Sequence, residues 1–229
     1  MDEGCVMEPR LTGINRREAL LYLGYKGGTL PDDVEGELAR CEQLILETAR
    51  PRAVWRQFKL LPDGSLQGAG FRPQGEDVKA LLADSAQVIL FAATLGAEIE
   101  SLIRRTQVRD MGRAMMLDAC ASAAMENLCD NLCADLAAEV APLYLTDRFS
   151  PGYGDLPLSQ QADFFRLLDI QRRIGVSLSP GGLMIPQKTV TALMGIADRP
   201  QKMRPKGCAV CTLFETCAFR KEGLNCGKS

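Results

Sequence analysis

The chain has 229 residues, of which 46% are hydrophobic and 24% charged, and its formal net charge is −2. This composition is typical of a soluble globular protein with one sizeable core, and the charge gives no indication of nucleic acid as a partner. Because no apolar run approaches the ~20 residues that span a bilayer, we expect no membrane partner. The acidic N-terminus does not resemble a signal peptide, which predicts a cytoplasmic location.

The numbers of histidines and cysteines limit the catalytic and metal-binding chemistry that the chain can have. The sequence contains no histidine, which excludes a Ser-His-Asp triad, histidine acid–base catalysis and histidine-ligated metals. It contains nine cysteines. In a reducing compartment, cysteines indicate thiol or metal chemistry rather than a disulfide framework.

Hydrophobic periodicity and turn signals predict alternating helices and strands. Helices are expected at 16–22, from Asp32 onward, at 76–83, 97–105, 110–141 and 160–174, and strands at 53–60 and 86–96, with a short β-like run at 143–145. The turn at 62–64 predicts that 66–71 returns antiparallel to the strand at 53–60. The helix at 110–141 is apolar around much of its circumference, so it should run through the middle of the fold.

A polar, proline-bracketed linker begins at Asp198 and divides the chain into a main domain, 1–197, and a cysteine-rich tail, 198–229. The four cysteines of the tail, Cys208, Cys211, Cys217 and Cys226, fall within nineteen residues. A Cys-x-x-Cys pair is a chelating unit for zinc or an iron–sulfur cluster. Since the second Cys-x-x-Cys of a zinc ribbon is missing, a [4Fe–4S] cluster is favoured over zinc. Free thiols without a metal remain the alternative.

A turn follows the predicted β-like run. Pro151 fixes φ, while Gly152 and Gly154 tolerate positive φ and allow a ligand to approach the backbone. Arg148 and Tyr153 flank this bend, so the segment could cradle a small ligand that carries a carboxylate. The alternative is an ordinary Pro-Gly turn with a surface arginine.

The pattern Arg148-x-x-x-Gly152-Tyr153 resembles the signature of the activation domain of cobalamin-dependent methionine synthase. The stretches 175–179, 183–186 and 189–193 follow in that domain's order and spacing, so the resemblance covers residues 109–197. It implies an α+β fold: a largely antiparallel twisted sheet with surrounding helices, one of them long and buried, to which this chain adds the small cysteine-rich metal-binding tail.

The resemblance also implies a binding site for S-adenosylmethionine. Arg148 would hold the ligand's carboxylate, the backbone of Pro151, Gly152 and Tyr153 would line the pocket, and Glu126 would correspond to a ligand-contacting glutamate of the family. From the residues alone, Glu126 could equally lie on a solvent-facing stripe with Asp118 and Asp130. The family's further aromatic contact, just beyond 189–193, has no counterpart here.

By the same resemblance, the chain would serve the reductive reactivation, or remethylation, of a cobalamin protein in methionine synthesis. Because it is too short to hold the other modules, its partner would be a separate corrinoid protein or the methionine synthase core, which supplies the cobalamin. A cluster in the tail, or a ferredoxin- or flavodoxin-like donor, would supply the electron. Whether the chain is itself an enzyme stays open.

Two alternatives come from other classes. One is an iron–sulfur electron-transfer or docking subunit of a corrinoid methyltransferase system without its own S-adenosylmethionine site. The other is a purely structural subunit whose ligand site has degenerated.

Overall fold

The computed structural model describes residues 4–25, 30–201 and 215–216. Its helices are α1 (Arg16–Tyr22), α2 (Asp32–Thr48), α3 (Glu76–Leu82), α4 (Ala97–Gln107), α5 (Met111–Glu139), α6 (Gln161–Leu168) and α7 (Ile170–Ile174). Its strands are β1 (Cys5–Met7), β2 (Arg52–Lys59), β3 (Ser85–Thr94), β4 (Tyr144–Leu145), β5 (Ser177–Leu178), β6 (Met184–Ile185) and β7 (Thr189–Ala197). Most of the predicted elements are therefore confirmed within a few residues.

Five of the strands form one sheet in the order β1-β2-β3-β7-β4, and every neighbouring pair is antiparallel. β5 and β6 form a separate two-stranded sheet. β3 lies at the centre, with β2 on one side and β7 on the other, and is buried from Val88 to Thr94. A strand that is covered on both faces has apolar residues at consecutive positions, which explains its uninterrupted hydrophobic run. The expected α+β fold with an antiparallel sheet is confirmed.

The alternation of side chains along β3 divides the interior into two cores. Ile89, Phe91 and Ala93 face a core formed with α1, α2, α4 and α5, whereas Val88, Leu90 and Ala92 face a core formed with α3, α6 and α7. We call these sides the α5 face and the α6 face. Since side chains alternate with a period of two, one strand supplies both cores.

The long helix is the main element of the α5 face. α5 runs for 29 residues, or about 43 Å at 1.5 Å per residue. Asp110 caps its first turn by accepting a hydrogen bond from the Arg113 amide. Leu117, Leu128 and Leu132 are fully buried among alanines and cysteines. The prediction of a long helix inside the fold is confirmed.

The predicted hairpin of 53–60 with 66–71 is wrong. β2 pairs with β1 and β3 instead, and 66–71 contributes only isolated bridges, Leu60 with Leu66 and Leu66 with Phe71. Gly68 and Gly70 adopt positive φ, which coils the segment into turns. Leu66 and Phe71 consequently fill the core of the α6 face rather than extending the sheet.

The predicted helix at 160–174 is also wrong in one respect, because it is broken. Asp169 adopts the left-handed conformation, with φ 51° and ψ 47°, and separates α6 from α7. The break changes the helical phase, so that Phe164 and Leu168 of α6 and Ile170 and Ile174 of α7 are all buried. The left-handed residue thus lets two short helices, α6 and α7, pack separately against the core of the α6 face.

The last strand of the sheet ends at Ala197, and the two-domain division stays a prediction because most of the tail is not described. Cys208, Cys211, Cys217 and Cys226 lie outside the described residues. Within the described ranges, no helix is long and apolar enough to cross a membrane.

Candidate functional site

Four polar side chains form a stripe along α5. Asp118, Ser122, Glu126 and Asp130 follow one another at four-residue intervals, which places them on one side of the helix. The carboxylate side chains of Asp118, Glu126 and Asp130 are 56%, 35% and 49% exposed. The stripe therefore remains open to solvent, although cations from the sheet side contact each carboxylate.

Arg148 contacts the C-terminal half of this stripe. Its Nη2 donates to Glu126 Oε2 at 2.5 Å and its Nη1 to Asp130 Oδ1 at 2.7 Å. Burial opposes the positive charge, but the hydrogen bond that Arg148 donates to Asp130 and the charge of Glu126 outweigh it, so the pKa of Arg148 is raised above its ordinary value. The arginine is thus a permanently charged, half-buried centre between two acids.

The sheet edge places Arg148 opposite α5. Its neighbour Phe149 exchanges two backbone hydrogen bonds with Leu193 of β7, each 2.9 Å long. Two residues before Arg148, the Thr146 amide donates to the Gly195 carbonyl at 2.9 Å. The segment after β4 is consequently anchored along β7, which fixes the point from which the guanidinium reaches the helix.

Lys188 contacts the other end of the stripe. Its Nζ lies 2.8 Å from Asp118 Oδ1 and 2.8 Å from Ser122 Oγ. The Lys188 side chain is only 16% exposed. Lys188 is the residue immediately before β7. Arg148 and Lys188 thus both span a groove whose walls are α5 and the edge of β7.

The segment between Arg148 and Asp155 forms the expected turn. Gly152 and Gly154 have φ values of 89° and 51°, which confirms that this bend requires positive φ. The Tyr153 amide donates to the Ser150 carbonyl at 3.1 Å, and the Gly152 amide to the Leu156 carbonyl at 2.9 Å. Tyr153 is 69% exposed, so its ring is available at the rim of the groove.

Two cavities adjoin the groove. One, of about 450 Å³, is lined by Ser150, Pro151, Tyr153, Leu158, Gln187, Thr189 and Thr191 among others. The other, of about 410 Å³, is lined by Tyr22, Met111, Met115, Asp118, Gln187 and Lys188 among others. Gln187 lines both cavities. Each volume lies within the range of small-molecule sites.

Burial, together with the charges in the groove, shifts the pKa values of three nearby groups. Burial, and next the carboxylate of Glu126, raises the pKa of Tyr22 to about 12. Burial raises the pKa of Cys129 to about 12, while the cation of Arg148 opposes this shift. Cys133, one turn further along α5, lies 3.7 Å from the sulfur of Met194. Burial also raises the pKa of Cys133, so both thiols stay protonated near neutral pH and pack as small apolar groups.

The arrangement suits a ligand with charges of both signs. Three carboxylates, Asp118, Glu126 and Asp130, face two cations, Arg148 and Lys188, so the groove keeps one negative charge in excess. A guanidinium can bind a carboxylate through two parallel hydrogen bonds, and the acids beside it can bind an ammonium group. An amino-acid head group carries both.

The structure brings Arg148 and Glu126 together and places Pro151, Gly152 and Tyr153 in the adjoining turn. Sequence reasoning missed Lys188, Ser122 and Tyr22. The four-residue spacing along α5 could have indicated Ser122, but nothing near Lys188 or Tyr22 marks them. Within the ranges that the structure describes, no group of three or more Cys, Asp or Glu side chains could hold a metal ion.

Comparison with known proteins gives a match at the level of structure. No protein-family model matches the sequence, and no curated protein does. Among solved structures, the fold is similar to that of the MetH reactivation domain bound to AdoHcy, with a TM-score of 0.60 over 87% of this chain and 80% of that chain. Sequence identity is 15%. The chain therefore has the reactivation-domain fold.

Proposed function

We propose that this chain binds S-adenosylmethionine in the groove between α5 and the segment 148–154, and that it acts in the reductive reactivation of a separate corrinoid protein in methionine synthesis. The observation that carries the proposal is the position of Arg148 between Glu126 and Asp130. The similarity to a reactivation domain whose structure contains AdoHcy supports it.

The head group of the ligand would use the charges already present. Its α-carboxylate would pair with the guanidinium of Arg148 and displace either Glu126 or Asp130 from that guanidinium. Its ammonium group would then pair with the displaced acid. S-adenosylmethionine carries a carboxylate, an ammonium and a sulfonium, hence one net positive charge. That charge complements the excess negative charge of the groove. S-adenosylmethionine should therefore bind more tightly than its product S-adenosylhomocysteine, whose sulfur carries no charge.

The chain's own residues would bind and orient rather than exchange protons. The site has no histidine, and its two closest thiols are protonated. Bound S-adenosylmethionine supplies the methyl group. Arg148, Glu126 and the turn at 150–154 would hold the sulfonium toward the partner's corrinoid, and fixed orientation of two reactants is a large part of such catalysis.

The tail supports a redox role through its spacing. Cys208, Cys211, Cys217 and Cys226 would hold a [4Fe–4S] cluster, or zinc, and a cluster would pass an electron to the partner. If the groove does not bind the ligand, the same spacing favours an electron-transfer or docking subunit. Replacing Cys208 and Cys211 by serine distinguishes ligand binding from electron transfer. If the groove binds S-adenosylmethionine, that binding should survive the replacement.

The decisive experiment is a calorimetric titration of the full, anaerobically purified chain with S-adenosylmethionine and with S-adenosylhomocysteine. We expect Arg148→Ala to weaken binding about 100-fold, because a lost charge-assisted pair costs about 3 kcal/mol. Arg172→Ala is the matched control, since Arg172 is exposed and pairs, among the contacts described, only with Asp169, the residue immediately before α7. A wild-type chain that does not bind S-adenosylmethionine would rule out the proposed function.

A further inference from the structure

The turn that carries Tyr153 is connected to a helix on the α6 face. α3 begins after Gly75, which has no side chain to cap it. Asp155 supplies the cap instead: its Oδ2 accepts from the Glu76 amide at 2.6 Å, and its Oδ1 from the Asp77 amide at 3.2 Å. The first-turn amides of a helix have no partner within the helix. A residue 79 positions away therefore performs the capping.

The contact is reciprocal. A Cβ at Gly75 would overlap Asp155 Oδ1, and a Cβ at Gly154 would overlap Asp77 Oδ2. Each segment thus presents a glycine to the acidic side chain of the other. Both glycines also have positive φ, 112° at Gly75 and 51° at Gly154. We call these four residues, Gly75, Asp77, Gly154 and Asp155, the clasp.

A second side chain joins the same two segments. Gln160 Oε1 accepts from the Gln74 amide at 2.9 Å, and Gln160 Nε2 donates to the Arg72 carbonyl at 2.9 Å. Gln160 is 7% exposed. Because it satisfies one donor and one acceptor of the chain before α3, it fixes the distal end of the 150–160 segment against 72–77.

The contacts leave the turn little independent freedom. Its near end is anchored by Phe149 to β7, its interior by the amides of Gly152, Tyr153 and Leu156, and its far end by Asp155. Asp155 lies two residues after Tyr153. Loss of the Asp155 contact would therefore free the backbone of 151–153 to move relative to the guanidinium of Arg148, which is held separately by Glu126 and Asp130 of α5.

We propose that Asp155 is a positioning residue for the groove: by capping α3 it fixes the turn of Pro151, Gly152 and Tyr153 at the place where the ligand contacts it. The ligand part of this inference rests on the proposed function. Asp155 is exposed and is not among the residues proposed to contact the ligand, so its effect reaches the groove only through the turn.

The test compares Asp155→Ala and Asp155→Asn with Asp163→Ala. Asp163 is the matched control, an acid in the first turn of α6 whose described ion pair is local, with Arg166. Hydrogen exchange of the amides of 150–156 and 76–77 is measured in each variant. The Kd for S-adenosylmethionine is measured by calorimetry alongside it.

In Asp155→Ala we expect faster exchange in both segments and a Kd raised about fivefold, the equivalent of a lost cap. Asp155→Asn keeps one acceptor oxygen, so its exchange rates and its Kd should both lie close to the wild-type values. Unchanged exchange in 150–156, or faster exchange with an unchanged Kd, would overturn the assignment. Failure of the wild type to bind would reject the proposed function, while the exchange measurement would still decide whether Asp155 positions the turn.

Discussion

The two faces of the sheet are covered by different kinds of structure. On the α5 face one helix of 29 residues, packed with α1, α2 and α4, forms the main cover of the sheet, and its polar stripe lies at the groove. On the α6 face the longest of the described helices has eight residues, and the segments around it are joined by single side chains such as Asp155 and Gln160. The first face is regular, and the second is assembled from contacts distant in sequence.

The difference has a consequence for the candidate site. The charged wall of the groove belongs to α5, whereas the turn that borders it belongs to a segment held by the α6 face. A ligand in the groove would therefore contact both. Changes on the α6 face should alter the turn without altering the charges on α5.

The largest effect is expected from Phe164→Ala on the α6 face. Phe164 is fully buried and packs edge-to-face on Phe71, with ring centroids 6.0 Å apart and an interplanar angle of 74°. Its removal should lower the free energy of unfolding by about 4 kcal/mol through lost burial and the cavity left behind. Phe165→Ala, at the half-buried neighbouring position, should cost much less in the same denaturant titration. Equal losses would contradict the assignment of Phe164 to this core.

An intermediate effect is expected from Gly154→Ala in the clasp. Alanine at φ 51° is strained by about 1 kcal/mol, and its Cβ would also overlap Asp77. We expect a loss of about 2–3 kcal/mol in chemical denaturation. Gly68→Ala is the matched control, since Gly68 has φ 71° with open space around it and should show the strain alone. If the two variants lose the same stability, Asp77 does not pack against Gly154 as described.

The sequence predicts the α5 face well because composition and length agree there. Twenty-nine residues without proline and rich in alanine, leucine and methionine leave few alternatives to a helix, and the uninterrupted apolar run of β3 predicts a strand buried on both sides. The α6 face was harder to predict. Nothing local at 66–71 shows that Leu66 and Phe71 fill the core, and nothing before Ile170 shows that Asp169 adopts the left-handed conformation. In both places tertiary burial outweighs the local pattern.

The same distinction holds within the candidate site. Arg148 and the turn at 151–153 follow from a local motif, and Glu126 follows from the resemblance together with helix spacing. Lys188 becomes a candidate only when β7 is placed beside α5, because its partners Asp118 and Ser122 are more than sixty residues earlier in the chain. Single-sequence reasoning has no access to that pairing.

The smallest effect is expected from Lys188→Met on the α5 face. Its partner Asp118 is more than half exposed, and such an ion pair contributes about 1 kcal/mol or less at low ionic strength. The loss should shrink in 0.5 M salt, since screening weakens the pair in the wild type. Lys79→Met is the control, because Lys79 and Glu76 form an exposed pair on α3, which packs on the α6 face rather than along α5. If Lys188→Met instead costs several kcal/mol, and salt does not reduce the cost, Lys188 is a buried structural cation and the groove is closed at that end. A small, salt-sensitive loss would mean that the α5 wall is open to a charged ligand along its whole stripe.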